Sequence, residues 1–286
     1  MKTKMLSLIF SSVIALLLIV GCGSKSSENS GDSSTTANVA TGNSPKPLNI
    51  SIYLDLSDRL VRNMKPVQKD RDIEIVKHIT EIVKNHAVNQ KILPCRDRIK
   101  VFFYPSPNDS EIASLANDLE MDLDKAKPAE KKKLLMELQD KFSKSLTPIY
   151  DITLQNKNWI GSDIWGFFKK QVDTYCVKKD ARNIIVILTD GYIFHENNQQ
   201  KDGNNFSYIL PKTLANKNSG LIISRKGLGN LEVLMLEVNP YTPTQEAQME
   251  DVLKNWFFGM GVKKLRIGET DLPTNTKMII DEFFGN

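Results

Sequence analysis

Ile184 to Thr189 (Ile-Ile-Val-Ile-Leu-Thr) is the most continuously apolar strand-like run in this chain, and it ends directly in Asp190-Gly191. It reads as a buried strand. Leu48–Leu54, Ile99–Tyr104, Leu231–Val238 and Lys263–Ile267 also read as strands, and helical patterns lie between the runs. That alternation is the signature of a layered α/β domain with a largely parallel sheet. With 41% hydrophobic and 25% charged residues over 286 positions, collagen-like, wholly disordered and coiled-coil chains are excluded.

The helical patterns repeat at three and four. Ile75, Ile79, Ile82 and Val83 mark a first helix, and Ile164, Phe167, Phe168 and Val172 a later one. Thr242, Pro243 and Gln245 form a capping-box start for a third, which carries Met249, Val252, Leu253, Trp256 and Met260 inward. Thr274 to Phe284 reads as a closing helix ended by Gly285. Two segments depart from simple alternation. Residues 106–146 read as an inserted helical hairpin, with Leu134, Leu135, Leu138, Phe142 and Leu146 on one stripe. Its Lys131, Lys132, Lys133 and Lys141 read as a solvated face. Gly191 to Asn230 is a long Asn-, Lys- and Gly-rich stretch, of a length that is usually functional or disordered.

The N-terminus reads as targeting. Lys2 and Lys4 precede an apolar stretch from Met5 to Val20, and small Gly21 precedes Cys22, so residues 1–21 are expected to be a cleaved signal peptide. Leu18-Ile19-Val20-Gly21-Cys22 resembles the bacterial lipoprotein box, which implies acyl chains on Cys22 and membrane attachment. No aspartate follows Cys22, which points to the outer membrane. Residues 22–47 carry almost no large apolar side chain and read as a disordered tether with a reach of roughly 25 to 30 Å. The folded domain is expected over 48–286.

Charge and cysteine usage narrow the chemistry. The formal charge of +4 becomes +2 once Lys2 and Lys4 are removed, too even to suggest nucleic acid. Three cysteines and three histidines without Cys-x-x-Cys or His-x-x-x-His spacing build no usual zinc site, so a metal would be a hard ion held by oxygen. Cys95 and Cys176 both fall at the sheet edge opposite the candidate site. Two states are open to them: a disulfide, if their Cα atoms come within about 7 Å, or two free thiols.

Three polar clusters sit at strand ends or a helix start: Asp55-Leu56-Ser57-Asp58-Arg59, Gly161-Ser162-Asp163 and Thr189-Asp190-Gly191. In an open parallel sheet the carboxyl ends of strands meet in one crevice, so neighbouring strands would bring Asp55 and Asp190 together. Taken in order, these clusters resemble the von Willebrand factor A-type domain, the inserted domain of integrins, over roughly Leu48 to Phe284. The resemblance implies a Rossmann-like three-layer sandwich and a divalent cation, Mg²⁺ or Mn²⁺, in a metal-ion-dependent adhesion site. Its ligands would be Asp55, Ser57, Ser162 and Asp190, with Ser162 where a threonine is usual; Thr147 is the second candidate for that element. Arg59 stands where the family has its second loop serine. Either its guanidinium lies between Asp55 and Asp190 and replaces the cation, or it points outward toward Asp58.

Each piece also has a plainer reading. Asp55 and Asp190 can simply end strands, and Ser162 with Asp163 can cap a helix. Trp159, Trp165 and Trp256 read as core, and His78 and His86 as surface or helix-packing residues. The expected function is a lipid-anchored module of the bacterial envelope that binds a protein ligand, through an acidic residue, at the cation site. The alternatives are a metal-free scaffold of an envelope complex and a metal-dependent hydrolase using His195 as acid or base, with Glu196 beside it.

Overall fold

The computed structural model describes residues 45–157, 159, 161–192, 200–202, 205–207, 227–240 and 242–285. The expected signal peptide, Cys22 and the tether lie outside the described residues, as do His195, Glu196 and the Gln245 side chain of the capping box. Eight strands are described: β1 (Leu48–Leu54), β2 (Arg98–Phe102), β3 (Glu120–Asp122), β4 (Arg182–Leu188), β5 (Gln200–Asp202), β6 (Asn205–Ser207), β7 (Leu231–Val238) and β8 (Lys264–Glu269). The helices are α1 (Gln68–Asn89), α2 (Ser110–Asn117), α3 (Pro128–Asn156), α4 (Ile164–Lys170), α5 (Val172–Tyr175), α6 (Pro243–Gly259) and α7 (Pro273–Phe284). No helix among the described residues is long and apolar enough to cross a membrane.

Six strands form one sheet in the order β3-β2-β1-β4-β7-β8, parallel except for β3 at one edge. From β1 the chain builds outward through β2 to β3, then crosses back to lay β4, β7 and β8 on the other side. The strand order therefore reverses between β1 and β4, which pair along their whole length from Leu48↔Arg182 to Leu54↔Leu188. β1 is buried at every position because its alternate side chains enter two different cores. Ile50, Ile52 and Leu54 pack with α1, α3 and α7, whereas Tyr53 packs with α4, α5 and α6. β4 divides the same way, Ile184, Val186 and Leu188 to one face and Ile185 and Ile187 to the other. A strand apolar on both faces needs a helical layer on each, and the result is a three-layer α/β sandwich of Rossmann-like form.

The expected helical hairpin over 106–146 is instead helix, strand and helix. β3 pairs antiparallel with β2 (Ile99↔Met121) and closes that edge of the sheet. The second helix runs on well past residue 146, to Asn156, with Pro148 inside it. The lysine run is also not uniformly solvated. Lys132 and Lys133 are exposed, but Lys131 is buried and donates to the carbonyls of Leu93 (2.9 Å) and Cys95 (2.7 Å), tying α3 to the loop before β2.

The two described cysteines are free. Cys95 packs on the α1 face and Cys176 on the α4 face, so the sheet separates them and the disulfide alternative fails. Burial pushes their thiols up to about 12 and about 11, which leaves them inert at neutral pH. Replacing Lys131 with Ala removes the donor from two carbonyls in a buried place and is expected to cost about 1 to 3 kcal/mol. Lys132→Ala should stay within about 0.5 kcal/mol. Urea denaturation of both variants checks the contrast, and equal effects would show that Lys131 is no fastener.

Candidate functional site

Asp55 follows β1 at the point of strand-order reversal, and its backbone N–H donates to Leu188 O of β4 (3.0 Å), so the ladder holds it in place. Its carboxylate is buried. One oxygen accepts from the Ser57 N–H (2.9 Å) and the other from the Thr189 hydroxyl at the end of β4 (2.7 Å). Asp190, the next residue, accepts from the Tyr192 N–H (3.1 Å). The crevice thus joins three of the four expected ligands: Asp55, Ser57 and Asp190.

Ser162 is brought to the same end of the sheet but toward β2. Gly161, at φ +79°, turns the chain into α4, and Asp163 caps that helix on the Gly166 N–H (2.7 Å). A side chain at Gly166 would put Cβ 2.1 Å from the Asp163 carboxylate, so the cap requires glycine there. The Ser162 hydroxyl lies 2.8 Å from the Tyr53 hydroxyl, whose own proton goes to Tyr104 O (2.8 Å); Ser162 is therefore the donor. Burial raises the Tyr53 pKa well above the usual phenol range, so it stays neutral. Thr147, the alternative to Ser162, lies within α3 and donates to Ser143 O (2.9 Å).

Arg59 follows neither expectation. It sits in a short 3-10 turn (Asp58–Val61), fully buried, and turns away from both crevice carboxylates. Its Nε donates to the backbone O of Asp55 (2.8 Å), and its two terminal nitrogens reach Asp72 of α1 (2.5 and 3.4 Å). Tyr150 of α3 donates to the same Asp72 (2.7 Å), and Gln68 bridges Asp72 (2.9 Å) to Glu237 (3.2 Å). Arg71 then holds Glu237 bidentately at 2.6 and 2.9 Å. Burial opposes charge on Arg59, but Asp72 and Asp55 outweigh it and raise its pKa. Glu237 has φ +66° at the β7 bulge, a backbone state that these buried bonds maintain.

The arginine that does meet the crevice is Arg62. It contacts Asp190 at 2.9 Å, donates to Asn239 O (2.6 Å) and lies over the Tyr192 ring, spanning the ends of β1, β4 and β7. Sequence reasoning passed over it, and the only signal was a second arginine three residues beyond Arg59. Burial raises the pKa of Asp55, with Arg59, Thr189 and Ser57 opposing. Burial and then repulsion from Asp55 push Asp190 up to about 6 despite Arg62. Neither Arg62 nor the more distant charge of Arg59 offsets the burial of the two carboxylates.

These donors fit a divalent cation poorly as they stand. The family's second loop hydroxyl is replaced by an arginine facing α1, Ser162 is committed to Tyr53, and Arg62 occupies one Asp190 oxygen. No group of three or more His, Cys, Asp or Glu among the described residues is arranged to hold a metal. At the β2 side of this end of the sheet is a cavity of about 130 Å³, with Leu54, Leu56, Phe103 and Ile112 as apolar lining and polar groups that include Asn108, Asp109, Thr153, Asn156 and Ser162. His78 and His86, as expected, serve packing, bonding Asp281 (2.8 Å) and Asp97 (2.7 Å). Trp256 is buried, as expected for core, while Trp159 and Trp165 are partly buried.

No family model matches the chain, and no curated protein does. Among solved structures, the pilus adhesin SpaC from Lactobacillus rhamnosus GG, in an open conformation, aligns at 12% identity and a TM-score of 0.36. The alignment covers 84% of this chain and 30% of the adhesin, so this chain spans less than a third of its length. A likeness at that level carries no argument about fold or function.

Two outcomes test this site. Arg59→Met leaves Asp72 buried without its cation and should destabilise by about 3 to 5 kcal/mol, whereas adding Asp72→Leu should recover part of that loss. A denaturant series reads both variants, and a mild single-variant effect would mean that Gln68 and Tyr150 hold Asp72 without Arg59. Asp190 holds its proton longer when folded, because its pKa is raised to about 6. The unfolded chain releases that proton first, so this contribution to stability is present below about pH 4 and is lost as pH rises through about 6. Asp190→Asn should flatten that decline, as thermal melts across the same pH range would show.

Proposed function

We propose that this chain is a lipid-anchored binding module of the bacterial envelope, rather than an enzyme, and that its ligand face is the crevice at the carboxyl ends of β1, β2 and β4. The observation that carries this reading is the Arg62–Asp190 pair at 2.9 Å; at the β2 side of the same sheet end opens a cavity of mixed apolar and polar lining with room for one small side chain. Arg62 stands where the von Willebrand-type resemblance would have a cation, and supplies a fixed positive charge there. A partner segment would place an aliphatic or aromatic side chain against Leu54, Phe103 and Ile112 and a carboxylate near Arg62. Ligand pockets of this kind combine an apolar lining with a few polar groups that set orientation. Attachment through Cys22 belongs to the same proposal.

A specific observation favours a second reading, a divalent-cation site. Burial, joined at Asp190 by repulsion from Asp55, raises the pKa values of Asp55 and Asp190 despite Arg62 and Arg59, and Mg²⁺ or Mn²⁺ would favour their charged forms. Asp55, Ser57 and Asp190 would then be ligands, with Arg62 displaced. The hydrolase reading rests on His195 and Glu196, which lie outside the described residues, and no observation at the crevice singles it out.

Calorimetry of Mg²⁺ and Mn²⁺ separates the two readings. Wild type should give no binding heat at millimolar ion. Arg62→Ser should bind, since it frees an Asp190 oxygen and removes the competing charge, and Asp190→Ala in that background should abolish the gain. Saturable binding by wild type would instead favour the cation-dependent module.

A further inference from the structure

The amino-terminal ends of the parallel strands, opposite the crevice, border a second cavity of about 810 Å³. Five cationic side chains line it, Lys46, Lys179, Arg182, Lys263 and Lys264, against one carboxylate, Glu232. Two of the five serve the fold. Arg182 holds Glu232 with bonds of 2.9 and 2.8 Å and donates to the carbonyls of Phe283 and Phe284 at the end of α7. Lys264 shares Glu232 (3.0 Å) and donates to Phe283 O (2.7 Å).

The other three are exposed. Lys46, Lys179 and Lys263 have no ion pair or hydrogen bond among the described residues. His86 also borders the cavity, but its Nδ1 faces Asp97. Asp180 and Asp124 lie in a smaller adjoining pocket with Arg96, Lys178 and Lys179, and Lys178 is 3.9 Å from Asp122. The cavity therefore has a surplus of ammonium groups in a concave place, which is the requirement for an anion. Lysine is a common phosphate binder as a point charge. Asn85, Asn89 and Asn230 add amide groups suited to the hydroxyls of a polar headgroup.

We infer that this cavity binds a phosphate group, that of an anionic lipid headgroup carrying hydroxyls. The lipid source is favoured because Pro45 and Lys46, where the N-terminal segment enters β1, form part of the cavity wall. That choice of source rests on the anchor at Cys22; the phosphate chemistry does not, and neither depends on the crevice. An anionic membrane surface attracts such lysines with about 1 kcal/mol each, a factor of about five.

Residue-resolved lysine labelling of the full chain tests this inference. An amine-reactive reagent is applied in vesicles of phosphatidylcholine alone, in vesicles containing phosphatidylglycerol, and in vesicle-free buffer with and without millimolar inorganic phosphate. Phosphatidylglycerol should slow labelling of Lys46, Lys179 and Lys263 about fivefold, leaving Lys132 and Lys133 unchanged. Lys263→Glu should restore the phosphatidylcholine rate at Lys46 and Lys179. Equal slowing by inorganic phosphate alone would support the phosphate site and assign its source as soluble. Absence of slowing in both arms, or equal slowing at Lys132 and Lys133, would overturn the inference.

Discussion

The buried contact between Arg59 and Asp72 ties the loop after β1 to the middle of the first turns of α1, and the geometry of the whole carboxyl end follows from it. Both side chains are almost completely removed from water. Desolvation of two such ions costs several kcal/mol each, so the pair is tolerable only because its remaining valences are filled. They are: Asp72 accepts from Arg59, Gln68 and Tyr150, and the Arg59 Nε closes on the Asp55 carbonyl. Through Gln68 the network reaches Glu237 and Arg71, which anchors the β7 bulge. One set of hydrogen bonds thus joins the ends of β1 and β7 through α1 and α3. It fixes the backbone on which Asp55 stands, and its value is in register more than in net stability.

The layered fold was legible because β1, β4 and β7 are long, apolar and buried on both faces, which only a sheet between two helical layers satisfies. The strand-order reversal was legible only as a condition, since nothing in a run of isoleucines says which neighbour it takes. β3 was missed for a different reason. Glu120-Met121-Asp122 buries a single side chain, so three residues offer no period to detect, and the strand is specified by the β2 edge it covers. Pro148 lies in the same region, inside α3, where the burial of Ile149, Tyr150 and Thr153 keeps the chain helical past it.

At the site, residue types were legible and pairings were not. Arg59 and Arg62 lie three apart, and both are long enough to reach several carboxylates. Backbone phase decides between them. Arg59 is inside the 3-10 turn, whereas Arg62 has left it at φ −59° and ψ 137°, so the two side chains depart in different directions. Asp72, the carboxylate that takes Arg59, stands on a helix whose buried face also carries Ile75 and Ile79. Its pattern in sequence is that of an ordinary surface-helix acid. Lys131 is the same case with opposite sign: within a run of three lysines, only the tertiary position of Leu93 and Cys95 selects which one is buried.

A parallel sheet separates its two ends physically, and here they differ in charge. Seven residues of β1 at about 3.3 Å each set roughly 23 Å between entry of the chain at Leu48 and its exit at Asp55. The exit end is carboxylate-rich, with Asp55 and Asp190 exceeding Arg62; the entry end is lysine-rich, with Glu232 outnumbered. Pro45 and Lys46, which lead into β1, lie at the basic end. The contrast between the two ends follows from strand direction, which sends every parallel strand's exit to one side, and from the sign of the charges left over at each end.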